Sequence, residues 1–113
     1  MTDDDRIPTS LWVDGHLRRF NNEGQAYYIV NKGAYASGTV MLKILAPGKG
    51  CRVLQQQRDI DGKLGWMALF KGEIVEEPKA DDYIRRAVDR DPDVWAIEIE
   101  DKEFKNPFEG KVF

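Results

Sequence analysis

Apolar residues recur with a helical period near the start of the chain, where Pro8, Thr9 and Ser10 precede "LWVDGHLRRFNNEG". One side of a helix over residues 10–23 collects Trp12, Val13, His16, Leu17 and Phe20, and the other side collects Asp14, Arg18, Asn21 and Asn22. Thr9 and Ser10 offer an N-terminal cap, and Gly24 can end the helix. The pattern predicts an amphipathic first helix.

From Gln25 the period changes to that of strands. Four segments rich in β-branched and aromatic residues follow one another: "QAYYIVNK", "GTVMLKILA", "CRVLQQQRD" and "KLGWMALF". "APGKG" and Asp61-Gly62 predict turns after the second and third segments, and "GAYASG" predicts a flexible surface loop after the first. The middle of the chain therefore reads as an antiparallel meander.

A second helix is predicted over residues 79–90, with arginines four residues after acids and an apolar stripe of Ala80, Tyr83, Ile84, Ala87 and Val88. Pro92 disfavours helical geometry at Asp91, so the helix ends there and "DVWAIEIE" becomes a fifth strand. The predicted fold class is α+β: an antiparallel meander of about five strands with two helices, in the order helix, four strands, helix, strand.

The first, second and fourth strands carry apolar side chains on both faces, which is typical of central strands covered on both sides. Two short helices cover only one face, or half of each. The remaining cover is the tail with its phenylalanines, a curling of the sheet, or a second copy of the chain. We therefore expect a homodimer as one of these three arrangements.

Composition and length set the domain organisation. The chain has 113 residues, 42% hydrophobic and 33% charged, which is enough to bury a core without a disulfide or a metal. We expect a flexible acidic arm over residues 1–8, one α+β domain over 9–101, and a C-terminal tail over 102–113 that is docked or mobile.

Charge and cysteine content exclude several functions. The net charge of −3 gives no broad positive field, so nucleic acid is not an expected partner. The start "MTDDDRIP" is acidic, and no apolar run reaches the length of a membrane span, so we expect a cytoplasmic protein with no membrane partner. One cysteine and one histidine form neither a disulfide nor a zinc set, and no cofactor is expected.

The segment "DRDPDVWAIEIED" gathers six acids: Asp89, Asp91, Asp93, Glu98, Glu100 and Asp101. Glu98 and Glu100 share one strand face, where two carboxylates are able in principle to hold a hydrated cation. Because they alternate with Trp95 and the isoleucines, we instead expect both glutamates on the solvated side of a strand, where they protect a sheet edge from pairing with another sheet. Within this segment, only the break Asp91-Pro92-Asp93 and the adjacent Arg90 remain candidates for binding a partner, because an exposed turn is predicted there.

His16 and the arginines are the other candidate interaction residues. His16 is the one histidine of the chain and is either a general base or, as we expect, a packed histidine bonded to a neighbour. Arg18 and Arg19 on the first helix, and Arg86 and Arg90 on the second, are able to contact an anion or an acidic partner, although solvated side chains matched to the helix dipole are the default.

Three segments carry a family resemblance: "LWVDGHLRRFNNEG", "RVLQQQRDIDGKLGW" and "DRDPDVWAIEIED". Across residues 8–101 the chain resembles domain of unknown function 1491, a family of bacterial proteins found mainly in alphaproteobacteria. The resemblance implies a compact cytoplasmic domain of mixed helix and strand, and it implies no activity, ligand or catalytic residue.

These observations favour a non-enzymatic protein-binding or assembly domain, acting as a homodimer or on an unidentified protein partner. The alternative is a small hydrolase or ligand-binding enzyme with a pocket near His16 and the segment from Arg85 to Asp101. That enzyme requires those groups to converge in one cleft.

Overall fold

A computed structural model describes residues 7–113. Its elements follow the predicted order: α1 (Thr9–Glu23), β1 (Tyr27–Asn31), β2 (Val40–Ala46), β3 (Gly50–Arg58), β4 (Leu64–Ala68), a 3-10 turn (Phe70–Gly72), α2 (Glu77–Arg90) and β5 (Trp95–Glu100). The prediction of an α+β fold with two helices and five strands is confirmed. No helix among the described residues is long and apolar enough to cross a membrane.

The helix ends are close to those predicted, with one correction. Gly24 ends α1 in the left-handed conformation, and α2 stops at Arg90, two residues before Pro92. The predicted cap by Thr9 or Ser10 is wrong, because both lie inside α1. Pro8 occupies the N-cap without a side-chain hydrogen bond, and its carbonyl accepts the N–H of Trp12.

The predicted antiparallel meander is confirmed for β2, β3 and β4 and is wrong for the whole sheet, which is mixed, with the strand order β1-β5-β2-β3-β4. β5 lies between β1 and β2, antiparallel to the first and parallel to the second. A connection of eight residues, 32–39, takes the chain past β5, whereas a simple hairpin needs only about two to five. The helix α2 makes the crossover that a parallel pair requires.

Each helix covers one face of the sheet. α1 packs Val13, Leu17 and Phe20 on the face formed by Val40, Leu42 and Ile44 of β2 and by the odd-numbered apolar residues of β5. α2 packs Ile84 and Ala87 on the opposite face, against Met41 and Ala96. The doubly apolar second strand is therefore central and covered on both sides, as its pattern predicts.

The tail completes the α1 face. Phe108 is buried in the core beneath α1, and Phe104 and Val112 pack against that core. Trp66 of β4 donates its indole N–H to the carbonyl of Glu109 at 2.8 Å. Its backbone also bonds the tail in both directions, to Lys111 and from Phe113. Residues 104–113 thus serve as part of the core cover and as a partner for the outer edge of β4.

The loop "GAYASG" is held in place, where the sequence predicts flexibility. Ala34 donates its N–H to the carbonyl of Asp93 at 3.1 Å and accepts the indole N–H of Trp95 at 2.9 Å. A Cβ at Gly33 would lie 2.2 Å from the carbonyl oxygen of Asp93. Small residues recur here because the loop passes directly over the start of β5.

Candidate functional site

A buried lysine with three carboxylates joins α2 to the sheet. Lys43 of β2 is 3% exposed, and its Nζ lies 2.6 Å from Glu77, 2.6 Å from Asp81 and 3.1 Å from Glu98. Glu77 and Asp81 are one turn apart on α2, so both face the strand below them. Glu98 is the register neighbour of Lys43 on β5.

The electrostatics of this Lys43 cluster hold the amine in its charged form. Burial by itself lowers the pKa of Lys43, but hydrogen bonds from the ammonium to Asp81, Glu77 and Glu98 outweigh burial and raise it above its ordinary value. A nucleophilic lysine requires the opposite shift. The Lys43 cluster therefore holds α2 against the sheet. With three carboxylates around one ammonium, the cluster as a whole has excess negative charge.

A cleft of about 370 Å³ opens beside the Lys43 cluster, between α2 and β1. Val30, Ile84 and Val88 supply its apolar lining, and Asn31, Lys43, Asp81, Arg85 and Asp89 supply its polar lining. α2 packs over β2 and β3. The part of this sheet face formed by β1 is left open to solvent as a result.

β1 is an edge strand that exposes apolar side chains. Tyr28 and Val30 are 66% and 45% exposed, and Tyr28 lies in one row across the sheet with Glu98 and Lys43. The prediction that β1 is central and covered on both faces is wrong. The segment from Gln25 to Asn31 contains no charge and no proline, the two usual protections of an edge.

The outer edge of β1 directs backbone groups to solvent. Glu100 donates its N–H to the carbonyl of Ala26, which fixes the phase of the β1–β5 ladder. Alternation along an antiparallel pair then turns the groups of Tyr28 toward β5 and those of Tyr27 and Ile29 outward. In the described part of the chain no strand pairs with this edge, whereas the tail pairs with part of the other outer strand, β4.

His16 lies on the opposite face of the sheet and is fully engaged there. Its Nδ1 donates to the carbonyl of Trp12 at 2.8 Å, and its Nε2 accepts the backbone N–H of Glu109 at 3.4 Å. The ring lies tilted against Trp12 and stacks on Phe108, with centroid distances of 4.2 and 5.1 Å. Nδ1 is therefore engaged within α1, and Nε2 links α1 to the tail.

The predicted arginines do not gather at one place. Arg18 is exposed on α1, and Arg19 donates to the carbonyl of Pro107 at 2.6 Å and to Glu23 at 3.2 Å. Arg86 pairs with Asp82 on the outer side of α2, and Arg90 is exposed at the end of that helix. Since α1 and α2 cover opposite faces, the pocket that would combine His16 with the α2 arginines is not formed.

The break between α2 and β5 is a structural junction. Asp91 accepts the backbone N–H of Asp93 through Oδ1 at 3.1 Å, and its carbonyl accepts the N–H of Val94. The carbonyl of Asp93 accepts the backbone N–H of Ala34. The prediction that Glu98 and Glu100 guard a sheet edge is also wrong, because β5 is an inner strand and Glu98 binds Lys43.

Sequence reasoning missed Lys43, Tyr28 and Val30. The signal for Lys43 was present, since a single lysine interrupts the otherwise apolar segment "VMLKILA" in a strand predicted to be covered on both faces. A charge at such a position requires carboxylate partners. The sequence gives no sign that Tyr28 and Val30 are exposed, because the same apolar residue types occur in an edge strand and in an inner strand.

Cys51 is fully buried at the start of β3, and burial, the largest cause, raises the pKa of its thiol to about 11. We expect no reaction with a thiol reagent at pH 8 in the folded protein, and full reaction in denaturant. Because an unfolded thiol ionises near pH 8.5, the folded state binds more protons between about pH 8.5 and 11. The free energy of unfolding should fall across that interval, and the Cys51→Ala variant should lack this part of the slope.

Structural comparison places the chain next to proteins of the same fold. A DUF1491 family protein from Caulobacter crescentus CB15, solved by crystallography, is 29% identical, covers 95% of this chain and 99% of its own, and superposes with a TM-score of 0.82. The NMR structure of a DUF1491 family protein from the same bacterium gives 29% identity, coverage of 96% and 97%, and a TM-score of 0.77.

Protein Atu0922 from A. tumefaciens is 19% identical, with coverage of 85% and 86% and a TM-score of 0.67, and this likeness shows the fold alone. No curated protein matches the chain. The family model described as "Protein of unknown function (DUF1491)" matches residues 7–109, which include both helices and all five strands. The chain belongs to the DUF1491 family.

Proposed function

We propose that the protein is a non-enzymatic assembly domain that binds a partner strand along the outer edge of β1. One observation carries the proposal: β1 is uncharged and free of proline, and it exposes Tyr28 and Val30 beside outward-directed backbone groups. An edge of this kind is a template for strand addition, in which main-chain hydrogen bonds give affinity and alternate side chains give specificity.

The two outer strands of the sheet differ in a way that supports this proposal. The tail bonds the backbone of Trp66 on β4, while the fold provides β1 with no such cover among residues 7–113. The open cleft beside β1 adds apolar surface from the half-buried Val88. We further take the protein to act in the cytoplasm, where a lone buried thiol such as Cys51 remains reduced.

Site-specific photo-crosslinking in living cells tests the assembly proposal. A benzophenone amino acid at position 28 should give a discrete crosslinked product, because the aromatic side chain of Tyr28 flanks the proposed contact. The matched control is position 35, since Tyr35 is 61% exposed in the loop after β1 and outside its edge. Adding Val30→Lys, which places a charge on the edge, should remove the product.

Equal crosslinking at positions 28 and 35, or a product at position 28 that survives Val30→Lys, would overturn the proposal. Val30 is 45% exposed, so the lysine variant should remain folded, and its circular dichroism spectrum checks this.

A further inference from the structure

We propose that a pocket at the start of α1 binds a small aromatic carboxylate, a function separate from strand binding at β1. This Trp12 pocket lies where the first turn of α1, the end of the loop after β1 and the β3–β4 hairpin meet, and its volume is about 290 Å³. Such a volume is at the lower limit for small-molecule sites, so it suits a ligand with a single ring. The residues that form the site are Thr9, Trp12, Ser37, Gln56, Arg58 and Leu64.

Hydrogen bonds of the fold fix the walls of the Trp12 pocket. Ser10 donates its N–H to the carbonyl of Tyr35 at 2.9 Å, which joins α1 to the loop. In the hairpin, the carboxylate of Asp59 accepts the N–H groups of Asp61 and Lys63, both at 2.9 Å. Binding between ordered walls costs little conformational entropy, so even a small ligand is able to bind there.

The fold leaves polar side chains of the Trp12 pocket unused. Thr9 and Gln56 are half-buried, and Ser37 is exposed. Within residues 7–113, none of these three side chains has a hydrogen-bond partner. Gln56 is the register neighbour of Trp66, which places its amide on the α1 face of the sheet. A few polar groups that converge on an apolar pocket are typical of small-molecule sites.

The charges around the Trp12 pocket favour an anion. Its lining contains the guanidinium of Arg58 and, among the described residues, no carboxylate. Arg58 donates to the carbonyl of Gly62 at 2.7 Å, which holds the guanidinium at the end of β3. The first turn of α1 adds the positive end of the helix dipole and has no acidic residue. A cationic ligand would therefore find no counter-charge in the lining, whereas a carboxylate would lie in a positive potential.

The apolar side of the Trp12 pocket favours a ring. Trp12 is half-buried and packs against His16 and Phe108, with centroid distances of 4.2 and 5.6 Å, so its ring is held in place. Leu64 of β4 supplies an aliphatic wall. An aromatic ligand gains buried area and a ring contact from this surface. The combination indicates one aromatic ring that carries a carboxylate and a hydroxyl group, which the amide of Gln56 is able to bind.

NMR titration of the whole protein with para-hydroxybenzoate tests this inference. We expect saturable shifts of the Trp12 indole N–H and of the Ser37 amide, and no change at Tyr28 on β1. The neutral analogue para-hydroxybenzyl alcohol has the same ring and should bind about tenfold more weakly. Inorganic phosphate has charge without a ring and should cause no saturable shift at these positions.

Two variants at Ser37 separate charge from size. Ser37→Asp places a carboxylate in the pocket and should abolish binding of millimolar para-hydroxybenzoate, because like charges repel. Ser37→Asn has nearly the same size without the charge and should retain binding. Ser37 is exposed, so both variants should keep the wild-type spectrum away from the pocket. Gln56→Leu should weaken binding about fivefold, because the amide hydrogen bond is lost.

The inference is contradicted by the absence of a saturable shift with millimolar para-hydroxybenzoate, by equal binding of the alcohol, or by unchanged binding in Ser37→Asp. Phosphate binding as tight as that of the aromatic acid contradicts it too, because charge alone would then suffice. Strand binding at β1 is tested separately by the photo-crosslink, so either proposal is able to fail without the other.

Discussion

Trp66→Ala is expected to lower the free energy of unfolding by about 3–5 kcal/mol, the range for deleting a large buried aromatic side chain. Trp66 is fully buried on the α1 face, within ring-contact distance of Trp12 and Phe108. Its indole N–H is bonded to Glu109. The substitution therefore removes core packing and a tail contact together. Urea unfolding measures the loss.

The position of Trp66 predicts a second, local effect. Since Phe108 packs on Trp66 and on His16, the tail should dock less firmly in Trp66→Ala. We expect faster proteolytic cleavage within residues 102–113 under conditions where the rest of the chain remains folded. Trp66→Phe keeps a ring in place and loses the indole hydrogen bond, so it should cost about 1 kcal/mol.

A surface aromatic residue provides the control. Tyr35 is 61% exposed, and Tyr35→Ala should change stability by less than about 0.5 kcal/mol. A loss below about 1 kcal/mol in Trp66→Ala, or a tail equally resistant in variant and wild type, would contradict the role given to Trp66.

Local order along the chain was predictable because it depends on neighbouring residues. The stripe of α1, its end at Gly24 and the stop of α2 before Pro92 all follow from spacing and backbone preference. The order of strands in the sheet depends on which distant segments pair. β5 inserts beside β2 although more than 45 residues separate them along the chain. Turn residues carry no information about such a pairing.

The candidate site was predictable only in part for the same reason. "DRDPDVWAIEIED" correctly indicated a helix-to-strand junction, but the function of Glu98 depends on Lys43, which lies far away in the sequence. The exposure of Tyr28 depends on where α2 ends its coverage of the sheet. Both facts arise from tertiary packing, and the composition of either segment leaves them undetermined.

Lys43→Met is expected to destabilise the protein by about 3 kcal/mol, even though methionine fits a buried strand position. The reason is the fate of three carboxylates, which lose their shared counter-charge. Glu98 is the carboxylate least able to turn into solvent, because its side chain is 29% exposed, compared with 45% for Glu77 and 55% for Asp81. The measurement is urea unfolding at pH 7.

The double variant Lys43→Met with Glu98→Gln separates charge from packing. If repulsion among carboxylates dominates, removing the charge of the most buried one should restore part of the lost stability. Lys105→Met is the matched control, because Lys105 bonds Glu103 at 2.8 Å while its side chain is 74% exposed, and no measurable change is expected there. Equal losses in Lys43→Met and the double variant would contradict the electrostatic account.

The dependence on pH follows from the raised pKa of Lys43. A lysine whose pKa is higher in the folded state contributes stability that is complete below its unfolded pKa of about 10.4. That contribution disappears as the pH rises through the folded value. The difference between wild type and Lys43→Met should thus stay constant from about pH 7 to 9 and shrink only in strong alkali. Because the charge of Lys43 lowers the pKa of Cys51, the alkaline slope of Cys51 differs between the two proteins, so the comparison is made in a Cys51→Ala background, where the clamp between α2 and the sheet is measured alone.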